Sequence, residues 1–302
     1  MNLIRSIRKR TAWLKGCRQG TPNSVPASAV PSVPTVASPS AQQVQNWITQ
    51  GRWFAVDQIE KLVGGPPELQ CPICEHRGPT DSFTTFESYC HFGGGRLVRH
   101  KCGRCGLVFG PQKMFRLSPE ELSHEYRTLY ESYSEGDTTE NEIRTFHAMK
   151  PRRDGVYLNF GSGGGWNSSV TRLRAEGWNI LGFEPYAGGH MSEAVIRSFE
   201  QLETMHFDGI MSNNVLEHLV DPLATFRLWR KLLKGPTPVM AHSTPCYKYL
   251  YAITRFHLFF YTGRSPEEIC RRTGFQGQWA IQDDEFLCYC FTPTQHNAKL
   301  AA

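Results

Sequence analysis

The chain has 302 residues, with 33 Lys and Arg against 28 Asp and Glu, a formal net charge of +5. That length accommodates one large domain and a small one, and the mild basic excess demands no polyanionic partner. No run reaches the ~18 apolar residues of a membrane span, and ten cysteines without the apolar core of a signal peptide predict a reducing, cytoplasmic setting.

The basic excess sits at the start. Arg5, Arg8, Lys9, Arg10, Lys15 and Arg18 meet no acid before Asp57. Residues 1–41 read as a basic tail and a linker, with prolines at 22, 26, 31, 34 and 39. Such a composition buries no core and stays extended and disordered. Leu3, Ile4, Ile7, Trp13 and Leu14 would also let the tail form a basic helix resting weakly on a membrane surface. Residues 42–67 carry a helical pattern in Val44, Trp47, Ile48, Phe54, Ile59 and Leu62. Gly51 weakens it, and Gly64-Gly65-Pro66-Pro67 stops it.

Residues 68–112 contain two CxxC pairs, Cys71-Cys74 and Cys102-Cys105, separated by 27 residues. Each pair can turn as a knuckle that offers two thiolates, and two knuckles close a tetrahedral Zn2+ site. The β-prone pieces Ser82 to Glu87 and Arg96 to His100 supply the strands a zinc ribbon needs. Four thiolates fill the metal, so this zinc is structural and leaves no open position. Cys90 and His91 read as ribbon surface or packing residues.

The remainder, residues 113–302, is expected to be the main domain. Ser118-Pro119-Glu120-Glu121 opens a helix with a capping box. The acidic stretch Glu131 to Glu142 reads as a mobile loop over the cleft. Val156 to Leu158 is a short buried strand, followed by glycines at 161, 163, 164 and 165 and a helix from Ser168 to Glu176. A strand, glycine turn and helix let a ligand approach backbone N–H groups. A dinucleotide fingerprint needs glycine at 166, where Trp166 stands, which argues against pyrophosphate. A second strand, Asn179 to Phe183, ends in Glu184, placed to accept from ribose hydroxyls.

This arrangement resembles motif I and the following acidic motif of class I S-adenosylmethionine-dependent methyltransferases. The resemblance implies a Rossmann-like α/β sheet, with Gly161, Gly163 and Gly165 shaping the cofactor turn and Glu184 on the ribose. The family usually has Asp two residues before the first glycine; Asn159 stands there and brings no negative charge to the cationic ligand. After a third strand, Ala194 to Phe199, the resemblance suggests Glu200, or else Glu203, for adenine. Phe207 to Met211 is the next strand. Ser212 to Pro222, reading SNNVLEHLVDP, resembles the "VLEH…DP" motif of small-molecule class I methyltransferases. It implies Asn213 and Asn214 beside the cofactor's methionine part, and Glu217 and His218 near the point of transfer. Asp221 should cap the following helix with Pro222 at its first position. The aromatic run around Arg255 and His257, then Ser265 with Glu268 as a second capping box, resembles the late part of the same group. Trp279 to Ile281 and Phe286 to Phe291 close the sheet as a hairpin around Asp283-Asp284.

The cofactors expected are therefore S-adenosyl-L-methionine and Zn2+. His257, in its aromatic surroundings, or His218 is the candidate general base; each can equally be a packed structural histidine. His242 and Tyr247 are further candidates. The acceptor is expected to be a small molecule, with a sugar or saccharide-linked intermediate as one candidate. Two alternatives stay open: an RNA or protein methyltransferase whose ribbon docks the substrate, and a non-catalytic ribbon protein with a degenerate methyltransferase domain. The lack of a basic, aromatic-interleaved groove weighs against nucleic acid.

Overall fold

The computed structural model describes residues 38–130, 133, 136–163, 168–185 and 194–294. The basic tail, Gly165 and Trp166 lie outside the described residues.

The chain begins with α1 (Ala41–Val63), capped by Ser40 with Gln43 as a reciprocal partner. The helix forms where its pattern predicts, but its facing is reversed. Trp53 is the buried residue, while Trp47, Ile48, Phe54, Ile59 and Leu62 are exposed. Trp53 wins because it has polar company inside: its Nε1 donates to Glu125, which also receives Arg52 and Arg255. A large aromatic with a satisfied N–H anchors the helix better than the apolar stripe on the other side.

Strands β1 (Glu68–Gln70) and β2 (Arg77–Pro79) form an antiparallel hairpin around the first cysteine pair. Then β3 (Thr84–Tyr89), β4 (Arg96–Lys101) and β5 (Val108–Phe109) form an antiparallel sheet around the second. The short helix α2 (Gln112–Phe115) and α3 (Pro119–Tyr130) follow. Ser118 and Glu121 make the expected reciprocal cap of α3. The anticipated loop ending at Glu142 is corrected: α4 (Thr139–Ala148) is a helix that buries Glu142, Thr145 and Phe146.

The main sheet lies in the region that follows, whose elements are β6 (Val156–Phe160), α5 (Ser169–Ala175), β7 (Asn179–Phe183), β8 (Val195–Ile196), α6 (Phe199–Glu203), β9 (Gly209–Asn213), α7 (Pro222–Leu232), β10 (Val239–Ser243), β11 (Phe259–Phe260), α8 (Ser265–Thr273), β12 (Phe275–Gln282) and β13 (Leu287–Pro293). Its seven strands run β12-β13-β10-β9-β6-β7-β8. Strands β8, β7, β6, β9 and β10 are parallel, and β13 runs against both its neighbours. This is a Rossmann-like α/β sheet. Alternate residues feed opposite faces: Tyr157, Met211 and Ala241 join one apolar cluster, and Leu158, Ile210 and Met240 the other. α7 presents Phe226 and Trp229 to the second cluster, capped by Asp221 as predicted.

Three further expectations shift. The third strand shrinks to Val195–Ile196, because Ser198 caps α6 through Gln201. The closing strands are longer than their apolar runs suggested, and the turn is fixed by Asp283 accepting from the amides of Glu285 and Phe286. The capping box at Ser265 does not form. Ser265 is already inside α8 and donates to the Thr262 carbonyl.

β11 does not join the main sheet. It pairs with β5 and extends the cysteine-bearing sheet to four strands. The segment after β10 is thus built into the cysteine-bearing sheet. Gly106 is required at this seam: a Cβ there would lie 2.8 Å from the Gly263 Cα. Among the described residues, no helix is long and apolar enough to cross a membrane.

Candidate functional site

In an open α/β sheet, the crevice lies beyond the carboxyl ends of the parallel strands. There, β6 runs into the glycine turn. Gly161 has φ of +78° and Gly163 of +75°. A Cβ on Gly161 would sit 2.5 Å from Val215 Cγ2, so only glycine lets the turn lie against the loop after β9. The amides of Gly161 and Ser162 both donate to the Phe183 carbonyl, at 2.9 and 3.1 Å. That ties the turn to the end of β7, which carries Glu184. Glu184 Oε2 accepts from the Gly163 amide at 3.2 Å. Asn159 is fully buried and donates through Nδ2 to Glu142 at 2.6 Å. Glu200 and Glu203 are exposed on α6, with Glu200 in its first turn.

Asn213 ends β9, and its Oδ1 accepts from Ser243 Oγ at 2.7 Å. Asn214 adopts φ of +52° and donates its amide to the Ser243 carbonyl. Next comes the turn carrying Glu217 and His218. Glu217 is buried and accepts from Thr244 Oγ1. His218 and His257, far apart in sequence, meet here with ring centroids 5.0 Å apart. His218 Nδ1 lies 3.1 Å from the Phe256 carbonyl, and His257 Nδ1 lies 3.1 Å from the Tyr251 carbonyl. A carbonyl only accepts, so each Nδ1 carries the proton and each Nε2 keeps a lone pair. Desolvation pushes His218 down to about 4, although part of its residue surface stays exposed, and pushes His257 well below its usual value. Both imidazoles are therefore neutral near pH 7.

The other two candidates are less suited to take a proton. His242 is fully buried within β10, 2.7 Å from Ser212 Oγ, and burial pushes it down to about 3. Burial raises Tyr247 well above the ordinary phenol range. Cys246 Sγ lies 3.6 Å from His257 Nδ1, and donor atoms of Glu217, Cys246 and His257 lie within 4.8 Å of one another. The imidazole atom facing the thiol bears the proton, so we read this trio as a hydrogen-bonded cluster.

The sulfurs of Cys71, Cys74, Cys102 and Cys105 also lie within 4.8 Å of one another. Cys71 and Cys105 are 3.7 Å apart, and Cys74 and Cys102 are 3.5 Å apart. A tetrahedron with Zn–S of ~2.3 Å has an edge of about 3.8 Å, so the spacing fits an ion and excludes S–S bonds. The hydrogen bond with Cys71 lowers Cys105 to about 6 and raises Cys71. The two knuckles repeat one pattern: Cys71 and Cys102 donate their amides to His76 and Leu107, while Glu75 and Gly106 donate back to them. Cys90 stands apart from this cluster, 3.6 Å from Arg255, and the His91 amide donates to Ile253.

The cysteine-bearing sheet and the histidine segment are linked by Arg99, which is fully buried in β4. It donates to the carbonyls of Ala252 at 2.8 Å, Thr254 at 2.6 Å and His257 at 3.1 Å. The sequence held a signal for it that was not used. Arg99 shares the strand face of Leu97, and a charged residue at an inward position needs partners.

Residues 137–278 match the family model of a methyltransferase domain. On this Rossmann-like fold, the matched stretch is a methyltransferase domain, and the protein is an enzyme. No curated protein matches the chain. Among solved structures it is similar to a SAM-dependent methyltransferase of Thermotoga maritima, at 15% identity and TM-score 0.38, covering 58% of this chain and 98% of that one. It is also similar to an S-adenosylmethionine-dependent methyltransferase of Mesorhizobium loti, at 18% identity and TM-score 0.34, covering 50% and 95%. A third is the plantazolicin methyltransferase BpumL in complex with S-adenosylhomocysteine, at 11% identity and TM-score 0.37, covering 61% and 93%.

Proposed function

We propose that the enzyme transfers the methyl group of S-adenosylmethionine to a hydroxyl of a small molecule, with a sugar or saccharide-linked intermediate as one candidate. The observation that carries this reading is the meeting of His257 with His218, both neutral, His218 following the loop after β9 whose Val215 lies against the glycine turn. Gly161, Gly163, Gly165 and Glu184 hold the cofactor's adenosine part. Asn159, Asn213 and Asn214 line its methionine end. Glu200 stays a weaker candidate for adenine.

When bound, the sulfonium supplies an already reactive methyl group. The protein then has to hold the acceptor in line, about 3 Å away, and exclude water. A hydroxyl must also lose its proton, and an imidazole Nε2 lone pair suits that task. Either histidine could act. His257 is favoured because its segment, braced by Arg99, forms part of the acceptor wall.

Four thiolates from Cys71, Cys74, Cys102 and Cys105 hold a structural zinc in this reading. The buried Arg99 linkage favours the ribbon as a wall of the acceptor site over a free docking module for RNA or protein. Incubation of a metabolite mixture with labelled cofactor tests the acceptor class. Label in RNA or protein alone contradicts a small-molecule acceptor. Single-turnover rates then assign the base. His257→Ala should slow transfer by roughly 10²–10⁴ with cofactor affinity barely changed. Wild-type rates and pH profiles in both His257→Ala and His218→Ala would exclude both as bases.

A further inference from the structure

Asn159 stands where a charged residue would face a cationic ligand, yet the region is not without an acid. α4 carries Glu142 to the same spot. Glu142 is 2% exposed. Three donors converge on it: Asn159 Nδ2 at 2.6 Å, Ser169 Oγ at 2.5 Å and Thr138 Oγ1 at 2.7 Å. These come from β6, from the first turn of α5 and from the cap of α4, the elements that frame the glycine turn. A second clamp holds α4 over the strand ends: Thr145 Oγ1 lies 2.6 Å from Ser243 Oγ, which donates to Asn213.

The bond to Glu142 fixes how the Asn159 amide is turned. Its Oδ1 is left buried and without a partner among the described residues. A buried amide oxygen in that state requires a donor. In the strand order, β6 lies between β7, which carries Glu184, and β9. A ligand with its ribose at Glu184 therefore extends its other end over β6 towards β9. For S-adenosylmethionine that end is an amino acid, with one ammonium group.

We propose that Glu142 is a further cofactor-site residue, which orients Asn159 to accept from the cofactor's ammonium and supplies the negative charge that Asn159 lacks. The acid of the site is thus carried by a helix ahead of β6 and not by the strand itself. A carboxylate at both positions would place like charges within hydrogen-bond distance, so the two sites share one acid. This inference rests on the cofactor reading above.

Two ligands separate the roles. S-adenosylhomocysteine has the ammonium; 5′-methylthioadenosine keeps the adenosine and lacks the amino-acid end. Calorimetry with Glu142→Gln should show S-adenosylhomocysteine weakened about tenfold or more, the scale of a lost charged hydrogen bond. Affinity for 5′-methylthioadenosine should be unchanged. Glu142→Gln combined with Asn159→Asp, which moves the acid to the strand, should recover most of the loss. Equal weakening of both ligands would mean that Glu142 only holds the fold, and unchanged affinity for both would also overturn the proposal. Failure of the wild type to bind either ligand overturns the cofactor reading itself, and this inference with it.

Discussion

Arg99 offers a sharp test of whether the cysteine-bearing sheet organises the acceptor side. Arg99→Met keeps much of the side-chain volume and removes every N–H. Three carbonyls then lose a charged donor: those of Ala252, Thr254 and His257. Leaving a buried acceptor unsatisfied costs about 1–3 kcal/mol each. The Ala252 carbonyl keeps Ser88 Oγ as a donor at 2.8 Å, and His257 is only half-buried, so water can replace part of its loss. Thr254 is buried and bears the larger share. A total of about 3 kcal/mol follows, which is roughly 150-fold in the equilibrium for local opening. The loss falls on residues 250–258, not on the main sheet. Hydrogen exchange read by mass spectrometry is the assay. Peptides covering 250–258 should exchange faster by about that factor, while β6 and the glycine turn keep their protection. Arg99→Lys should fail to rescue, because a single ammonium cannot span three carbonyls as a planar guanidinium does. Unchanged exchange over 250–258 in the Met variant would refute the reasoning.

Two further outcomes are expected. The purified protein should hold one zinc per chain, and Cys71→Ala/Cys102→Ala should lose it in metal analysis; full retention contradicts the four-thiolate site. His218, His242 and His257 all have folded values lowered by burial, whereas in the unfolded chain they titrate near ~6.5. Protons therefore favour the unfolded state. Stability from this source is intact above about 6.5 and is lost as pH falls, until it levels near about 4 for His218 and about 3 for His242. Thermal melts across this range should show the decline, and a flat profile would contradict the burial of neutral imidazoles.

Much of the sheet was legible because its signals are local. A β-prone run, a glycine turn and a capped helix each announce themselves within a dozen residues, and the Asp221-Pro222 cap is seen as read. The paired cysteines were equally plain. What escaped was non-local. The exposed stripe of α1 follows helical spacing, but Trp53 was drawn inward by Glu125, 72 residues away in sequence. β11 is too short to read as a strand and owes its existence to β5. Glu142 sits in a polar, acidic segment whose composition suggests a loop; its partners Asn159 and Ser169 arrive only when the sheet is assembled. The same holds for the encounter of His218 with His257. Sequence offered both as candidates, and only the fold sets them 5.0 Å apart.

The central claim is that the cofactor lies on the glycine turn with its ribose at Glu184, whose carboxylate stands 3.2 Å from the Gly163 amide. Isothermal titration of S-adenosylmethionine into wild type and Glu184→Ala tests it most directly. The account predicts saturable binding by the wild type and a loss of about 1–3 kcal/mol in the variant, the scale of lost charged hydrogen bonds. Equal affinity in a folded variant, or no binding by the wild type, would contradict it.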